Sequence, residues 1–424
     1  MAVVKRRRTF GGTAGGAARS ALLCACAAFA IAGASASPAL AADPVEFDVS
    51  GEASGVVGVS DEQVKGDLDA EIRVRASTVF SSGIEVGALV EGRLDGQMPN
   101  QYFAAGRYTG LLAGGPRGIA PKDSDAYLQA AYAYARGGFG EVILGRDHGV
   151  ARTLAVTAPT IFRAINVNDW RTDLSGLNDV HTVNDFTGYS TKISYLPPAN
   201  FLGGVLGGLR LGVSYSPQLA DCGKGLCAPA SRFVLAPSAL GIGGESSWTD
   251  AIEGAFYYQK EFRVSARDGL LFGLGGSYVT ATGETLAAGA TVGDYEAVSL
   301  GLNLGFRGIT VGGSVKTTNA GLAATPDEGY LAFDAGVTYR TGEDTGDWGI
   351  MLGYGRSESD FIGPSIVSPM IFQDTQTAQA GVTYFVAPGI TVGAAAQYVE
   401  ANRPAVAGGA EEATTVVIES SIKF

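Results

Sequence analysis

The chain has 424 residues, with 30 Lys and Arg against 42 Asp and Glu, a formal charge of −12. That balance excludes a nucleic-acid partner, since contact with a phosphate backbone needs basic patches. Yet 62 glycines, 17 tyrosines and 19 phenylalanines, with a mean hydropathy of +0.16, do not describe an ordinary soluble domain.

Residues 1–42 read as a secretory signal. Lys5, Arg6, Arg7, Arg8 and Arg19 make a basic start, and Ala21 to Ala34 is almost entirely small or apolar. Ala39-Leu40-Ala41-Ala42 then closes the segment before Asp43. This order is that of a signal peptide with an A-x-A cleavage site. Pro38 and the short apolar core argue against a membrane anchor, which needs about 20 apolar residues. Removing five basic residues and no acid takes the formal charge from −12 to −17 for residues 43–424. Anionic ligands are repelled at long range by such a chain, subject to salt screening.

Beyond the signal the recurring pattern has period two, the signature of strands. In the first strand Val45, Phe47 and Val49 oppose Glu46, Asp48 and Ser50. The last is the clearest: Thr414, Val416, Ile418, Ile422 and Phe424 share one face, while Thr415, Glu419, Ser421 and Lys423 share the other. The chain divides into sixteen such pieces: 45–58, 66–80, 83–95, 124–136, 138–147, 186–196, 208–216 and 249–263, then 270–281, 293–305, 308–318, 329–341, 346–356, 374–386, 389–399 and 412–424. Strands that cross a bilayer at a tilt need about 9–11 residues, and these suffice. The connections alternate in size. Tight ones such as Ser81-Ser82-Gly83, Arg307-Gly308 and Ala387-Pro388-Gly389 alternate with longer polar ones at 96–123, 148–185, 217–248, 282–292, 319–328, 357–373 and 400–411.

This layout, short turns on one rim and long loops on the other, is that of an outer-membrane barrel. Backbone in hydrocarbon must satisfy every N–H and C=O internally, so the sheet must close on itself. Closing sixteen strands leaves a lumen too wide for side chains alone to fill. The apolar faces then meet lipid and the polar faces meet water. Trp348, Tyr354, Tyr339 and Tyr398 fall near strand ends, where interfacial aromatic girdles sit. A soluble sandwich or propeller also alternates, but no linker or change of composition marks separate domains here.

Two further stretches bear on chemistry. Cys24 and Cys26 lie in the signal, leaving Cys222 and Cys227 in the Gly-rich run Asp221-Cys222-Gly223-Lys224-Gly225-Leu226-Cys227. A local disulfide is expected in an oxidising compartment; a metal site would want four ligands, and no His or further Cys is nearby. Only His148 and His181 offer imidazole bases, and no Gly-x-Ser-x-Gly stands before either. An enzyme is not expected.

The segment Phe139-Gly140-Glu141-Val142-Ile143-Leu144-Gly145-Arg146, the long loop after it, and the alternating final strand ending at Phe424 resemble the general bacterial porins. That family consists of trimeric sixteen-stranded channels of Gram-negative outer membranes. The resemblance implies a third loop folded inward at mid-height, with loop acids facing basic residues on the wall. Carried onto this chain, the loop acids are Asp169, Asp173, Asp179 and Asp185, and the basic wall is Arg73, Arg75, Arg93, Arg146 and Lys192. Alternation does not decide which way Arg146 points, and the interleaved Glu71, Glu85 and Glu91 depart from a purely basic wall. It further implies a homotrimer, insertion by the barrel-assembly machinery through the final strand, and passive diffusion of small hydrophilic solutes and ions. With −17 on the mature chain the expected selectivity is a mild cation preference. The alternative is a channel selective for a sugar or organic acid, with a binding site in the lumen. No cofactor is expected. Asn168-Asp169-Trp170-Arg171-Thr172-Asp173 with Asn178-Asp179 offers oxygens of the kind calcium takes, without the spacing of a dedicated calcium loop.

Overall fold

A computed structural model describes residues 42–60, 62–95, 125–168, 173–199, 207–219, 233–234, 245–265, 268–285, 294–319, 329–361, 371–402 and 409–424. The strands are β1 (Glu46–Ser60), β2 (Gln63–Val79), β3 (Glu85–Asp95), β4 (Asp125–Gly137), β5 (Gly140–Arg146), β6 (Thr191–Leu196) and β7 (Leu209–Gln218). A two-residue β8 (Phe233–Val234) precedes β9 (Glu245–Arg263), β10 (Gly269–Thr285), β11 (Tyr295–Phe306) and β12 (Ile309–Thr318). The set ends with β13 (Gly329–Arg340), β14 (Trp348–Phe361), β15 (Ile371–Ala387), β16 (Ile390–Asn402) and β17 (Glu411–Lys423).

Each strand pairs antiparallel with the next, β7 pairing with β9, and β1 closes the sheet on β17 with Val56 opposite Glu419. The result is a closed barrel of sixteen strands, as expected; β8 is an addition that pairs with Ser246 and Glu245 at the start of β9. Phe424 and Gly51 exchange backbone hydrogen bonds of 3.0 and 2.9 Å, so both chain ends meet on the short-turn rim.

The barrel is amphipathic in the inverse sense of a soluble protein. Along β17 Ala413, Thr415, Val417, Glu419 and Ser421 are buried while Val416, Ile418 and Ile422 are exposed. In β16 Val392 and Tyr398 are exposed and Thr391, Gln397 and Val399 are buried. Only lipid makes such an outer surface stable. Trp348 and Tyr339 meet edge-on at 5.7 Å near the short-turn rim. Tyr215, Tyr354 and Tyr398 stand near the other, with hydroxyls donating to Asp250, Gln376 and Glu412. In the short turns, an ion pair of 2.5 Å from Arg307 holds Asp268 down to about 2.

Most expected boundaries hold to within three residues; β9 begins four residues earlier than expected, β10 ends four later and β14 five later. One departure is of a different kind. The piece expected as a strand from 186 begins as a strand only at Thr191. Residues 186–190 are instead a buried return: Gly188 has φ +45, its amide donates to Asp185 O, and Phe186 stacks on Tyr295 at 3.6 Å. Alternation cannot separate a strand from a loop buried by tertiary contacts.

The outward rows generate a direct test. Leu352 is 60% exposed on β14. The variant Leu352→Arg should lose about 2–4 kcal/mol of folding free energy in lipid vesicles, measured by urea titration. A polar inward position such as Thr415→Ala should lose much less.

Candidate functional site

Between β5 and β6 the chain does not turn back at the rim. Residues 147–168 and 173–190 run along the inward rows of the wall, beginning with one turn of helix, α1 (Val150–Thr153). From Thr153 to Ala158 the outgoing limb alternates: Leu154, Val156 and Ala158 are buried, while Thr153, Ala155 and Thr157 are exposed or partly exposed. Farther on the buried residues come in pairs, Ile161 with Phe162 and Ala164 with Ile165, and Thr160, Arg163 and Asn166 around them are partly exposed, as is Arg152 before.

The wall makes room for the limb with glycine. A Cβ on Gly301 of β11 would sit 1.9 Å from the Val156 carbonyl oxygen, and one on Gly381 or Gly393 would sit 2.5 Å from the Phe162 ring. Irregular backbone buried this way needs partners for its polar groups, and the wall supplies them with charges. Glu419 of β17 accepts three consecutive amides, Arg163, Ala164 and Ile165, at 3.0, 2.9 and 3.1 Å. Asp334 of β13 accepts the Ala158 amide, the Asn168 side chain and the Thr182 hydroxyl at 3.0, 2.7 and 2.8 Å. Glu253 of β9 takes the Ala151 amide at 3.1 Å and the Thr187 hydroxyl. The carbonyls go to cations: Lys65 to Leu174, Lys316 to Val183 and Arg340 to Thr160, at 3.0, 2.9 and 2.8 Å.

The partners appear in strand order. Outgoing contacts run from Ser214 on β7 to Glu419 on β17 and Glu52 on β1. Return contacts start with Lys65 on β2 and run back through Gln373, Asp334, Lys316 and Glu253 to Gln129 on β4. The described part of the loop therefore lines the inner face of the wall in two limbs, and its return reaches the charged sector on β2–β4 through Lys65, Glu91 and Gln129.

The residues singled out in the sequence take up different posts. Asp173 is buried and accepts the amides of Ser175, Leu177 and Asn178 at 3.0, 2.8 and 2.8 Å, holding its own turn. Asp179 accepts from Gln373 on β15. Asp185 is 4% exposed and bonds Arg152 at 3.0 Å and His181 at 2.8 Å. These three acids are buried rather than facing open water, a correction to the expected acidic loop surface; the partly exposed charges of the described loop are Arg152, Arg163 and, at its start, Asp147. Asp169, Cys222 and Cys227 lie outside the described residues, as do Trp170, Arg171 and Thr172 of the run with calcium-like oxygens, and the carboxylate of Asp173 is already engaged.

On the wall, Arg73 is half exposed and pairs with Glu71 at 2.6 Å and with Glu91. Arg75 pairs with Asp48 at 3.0 Å and Arg93 with Asp69 at 3.1 Å. Arg136, not singled out in the sequence, joins them through Glu85 at 2.7 Å. Two expected wall cations do otherwise. The register puts Arg146 opposite Ala131 and Thr191, on the row of outward Leu144, with its Nε 3.4 Å from the Tyr189 carbonyl. Lys192 is 1% exposed and donates to the carbonyls of Asp147 and Gly188. Beside it burial pushes the Asp147 carboxyl up to about 6; Glu91 adds to the rise, while the His148 amide and Lys192 oppose it.

Comparison places this architecture. The family model described as Gram-negative porin matches residues 25–404. The chain belongs to the Gram-negative porin family. Among solved structures it is similar to the anion-selective porin of Comamonas acidovorans, with TM-score 0.51 and 14% identity over 90% of this chain and 100% of that one. The outer-membrane channel DcaP of Acinetobacter baumannii matches with TM-score 0.56 and 10% identity, over 90% and 97%. OmpF of Salmonella typhi, in complex with daunomycin, matches with TM-score 0.52 and 14% identity, over 89% and 97%. A search of curated proteins found no sequence match. The porin is thus an outer-membrane channel that crosses the bilayer as a β-barrel, and it is not an enzyme.

Glu419 stands on the polar face of the final strand in the sequence, but nothing local says that its partners, or those of Glu253 and Asp334, are loop amides. Removing the carboxylate in Glu419→Ala leaves three amides without their acceptor, at a cost on the order of 3 kcal/mol for lost charge-assisted bonds. Amide hydrogen exchange at Arg163, Ala164 and Ile165 should then accelerate by roughly a hundredfold, with little change in the strands.

Proposed function

We propose that the porin is a water-filled channel for passive diffusion of small hydrophilic solutes and ions, narrowed by the loop 148–185 and mildly cation-preferring. The observation that carries this reading is the alternation of the outgoing limb. One row of side chains seals against the wall, and the other, largely Thr, Ala and Arg, borders the remaining space. Charged side chains on both sides of a narrow aqueous path sort solutes by size and charge without a tight binding step.

The cation preference rests on the charge of −17 after signal removal and on Asp48 and Glu52, the more exposed partners of their ion pairs with Arg75 and Arg163. Arg152 and Arg163 on the loop and Arg73 on the wall weigh against it, which keeps the preference mild. The expected wall set Arg73, Arg75 and Arg93, joined by Arg136, would border the path opposite the loop; Lys192 and Arg146 would act at its neck. The proposal includes export by the signal 1–42, insertion through the strand ending at Phe424, and a homotrimer, the closed symmetric state usual for such assemblies. A second reading, a solute-selective channel, is favoured by one feature. Tyr132 and Tyr134 stand 6.5 Å apart, and the Arg136 guanidinium lies 5.5 Å from the Tyr134 ring.

Single-channel recording of refolded mature protein across a salt gradient tests the proposal. Ohmic steps in groups of three, with a reversal potential of cation-selective sign, are expected. Asp48→Asn with Glu52→Gln should move that potential toward anions. Replacing residues 166–179 by a short Gly-Ser linker should raise the conductance and admit larger sugars in liposome swelling. Unchanged conductance and size cut-off in that variant would remove the loop from the function. Block by a low concentration of one sugar or organic acid would favour the selective channel.

A further inference from the structure

The two ends of the loop meet at a neck built differently from the rest of the lining. The chain leaves β5 through Gly145, whose φ is +138, and returns to β6 through Gly188, whose φ is +45. Both values lie where an L side chain is strained. At Gly145 the close approach leaves no alternative, because a Cβ would fall 2.5 Å from the Ala131 carbonyl oxygen. Between these points the outgoing and returning chains lie side by side. His148 packs on Tyr189 with ring centroids 3.9 Å apart. Buried Lys192 donates to a carbonyl on each chain, Asp147 on the way out and, at 2.5 Å, Gly188 on the way back. One ammonium thus ties both ends of a segment that spans from residue 147 to residue 190.

We propose that Lys192 is the positioning residue that clasps the neck of the loop. The inference rests on the reading of the loop as the constriction. A loop docked along its length but pinned at one neck moves as a flap about that neck when the pin loosens. The clasp would therefore govern how steadily the loop stays against the wall, and so the noise of the open channel rather than its mean conductance.

Open-channel noise of single trimers is the test. Lys192→Met should be several-fold noisier than wild type, with faster amide exchange at Gly188 and Ser190, and Lys192→Arg should restore the quiet state. Equal noise and equal exchange in Lys192→Met and wild type would overturn the clasp. The linker variant of 166–179 separates the two readings: raised conductance there with unaltered noise in the neck variants keeps the constriction and discards the clasp. If Lys192→Met does not fold, Lys192→Gln, which keeps a donor without the charge, takes its place, and wild-type noise and exchange in it would equally overturn the clasp.

Discussion

Every backbone polar group buried inside this barrel must find a partner, and the arrangement of charge in the lumen follows from that constraint. Sheet closure satisfies the strands, but the loop between β5 and β6 is irregular backbone laid against a wall, and its local turns leave many of its polar groups to the wall. Its amides reach Glu253, Asp334 and Glu419, and its carbonyls reach Lys65, Lys192, Lys316 and Arg340. Hydrogen bonds to charged groups are about twice as strong as neutral ones. A buried charge in turn needs such partners to be tolerated at all. Loop and wall solve each other's problem. The same constraint accounts for the glycines of the inner rows, which let backbone approach backbone.

It also divides the ionisable residues of the lumen into two populations. Glu253, Asp334, Glu419, Lys192 and Lys316, which hold the loop, are buried and unavailable to a solute. Asp48 and Glu52 on β1 and Arg73 and Arg75 on β2, together with Arg152 and Arg163 of the loop, keep part of their side chains exposed. Net charge alone is then a poor guide to selectivity, because acids of the first kind add to the total without bordering the path.

The barrel was legible in the sequence because lipid imposes a simple code. A strand that faces lipid on one side and water on the other must alternate, and β13, β16 and β17 do so almost without interruption. The closing of β1 on β17 and the rims followed from the strand ends. The site was legible only in part. Arg73, Arg75 and Arg93 sit on strands, so period two placed them on the inward rows. Asp173, Asp179 and Asp185 sit on a loop, where no period exists, and their engagement by loop amides, Gln373 and Arg152 depends on long-range contacts. Lys192 shows the limit most clearly. It was placed correctly on the polar face of β6, yet a polar face inside a lined barrel meets the loop before it meets water. The stretch 186–190 failed for the same reason, since Phe186 is held by Tyr295 and not by a neighbouring strand.

Cysteine accessibility along the outgoing limb tests most directly the central claim that one side of the loop seals against the wall and the other borders the path. In a background lacking Cys222 and Cys227, Thr157→Cys and Val156→Cys would be exposed to a membrane-impermeant thiol reagent while current is recorded. Rapid reaction at position 157 with a stepwise fall in current, and no reaction at position 156, is the predicted result. Equal reactivity at the two positions, or full labelling at 157 with the current unchanged, would contradict the account.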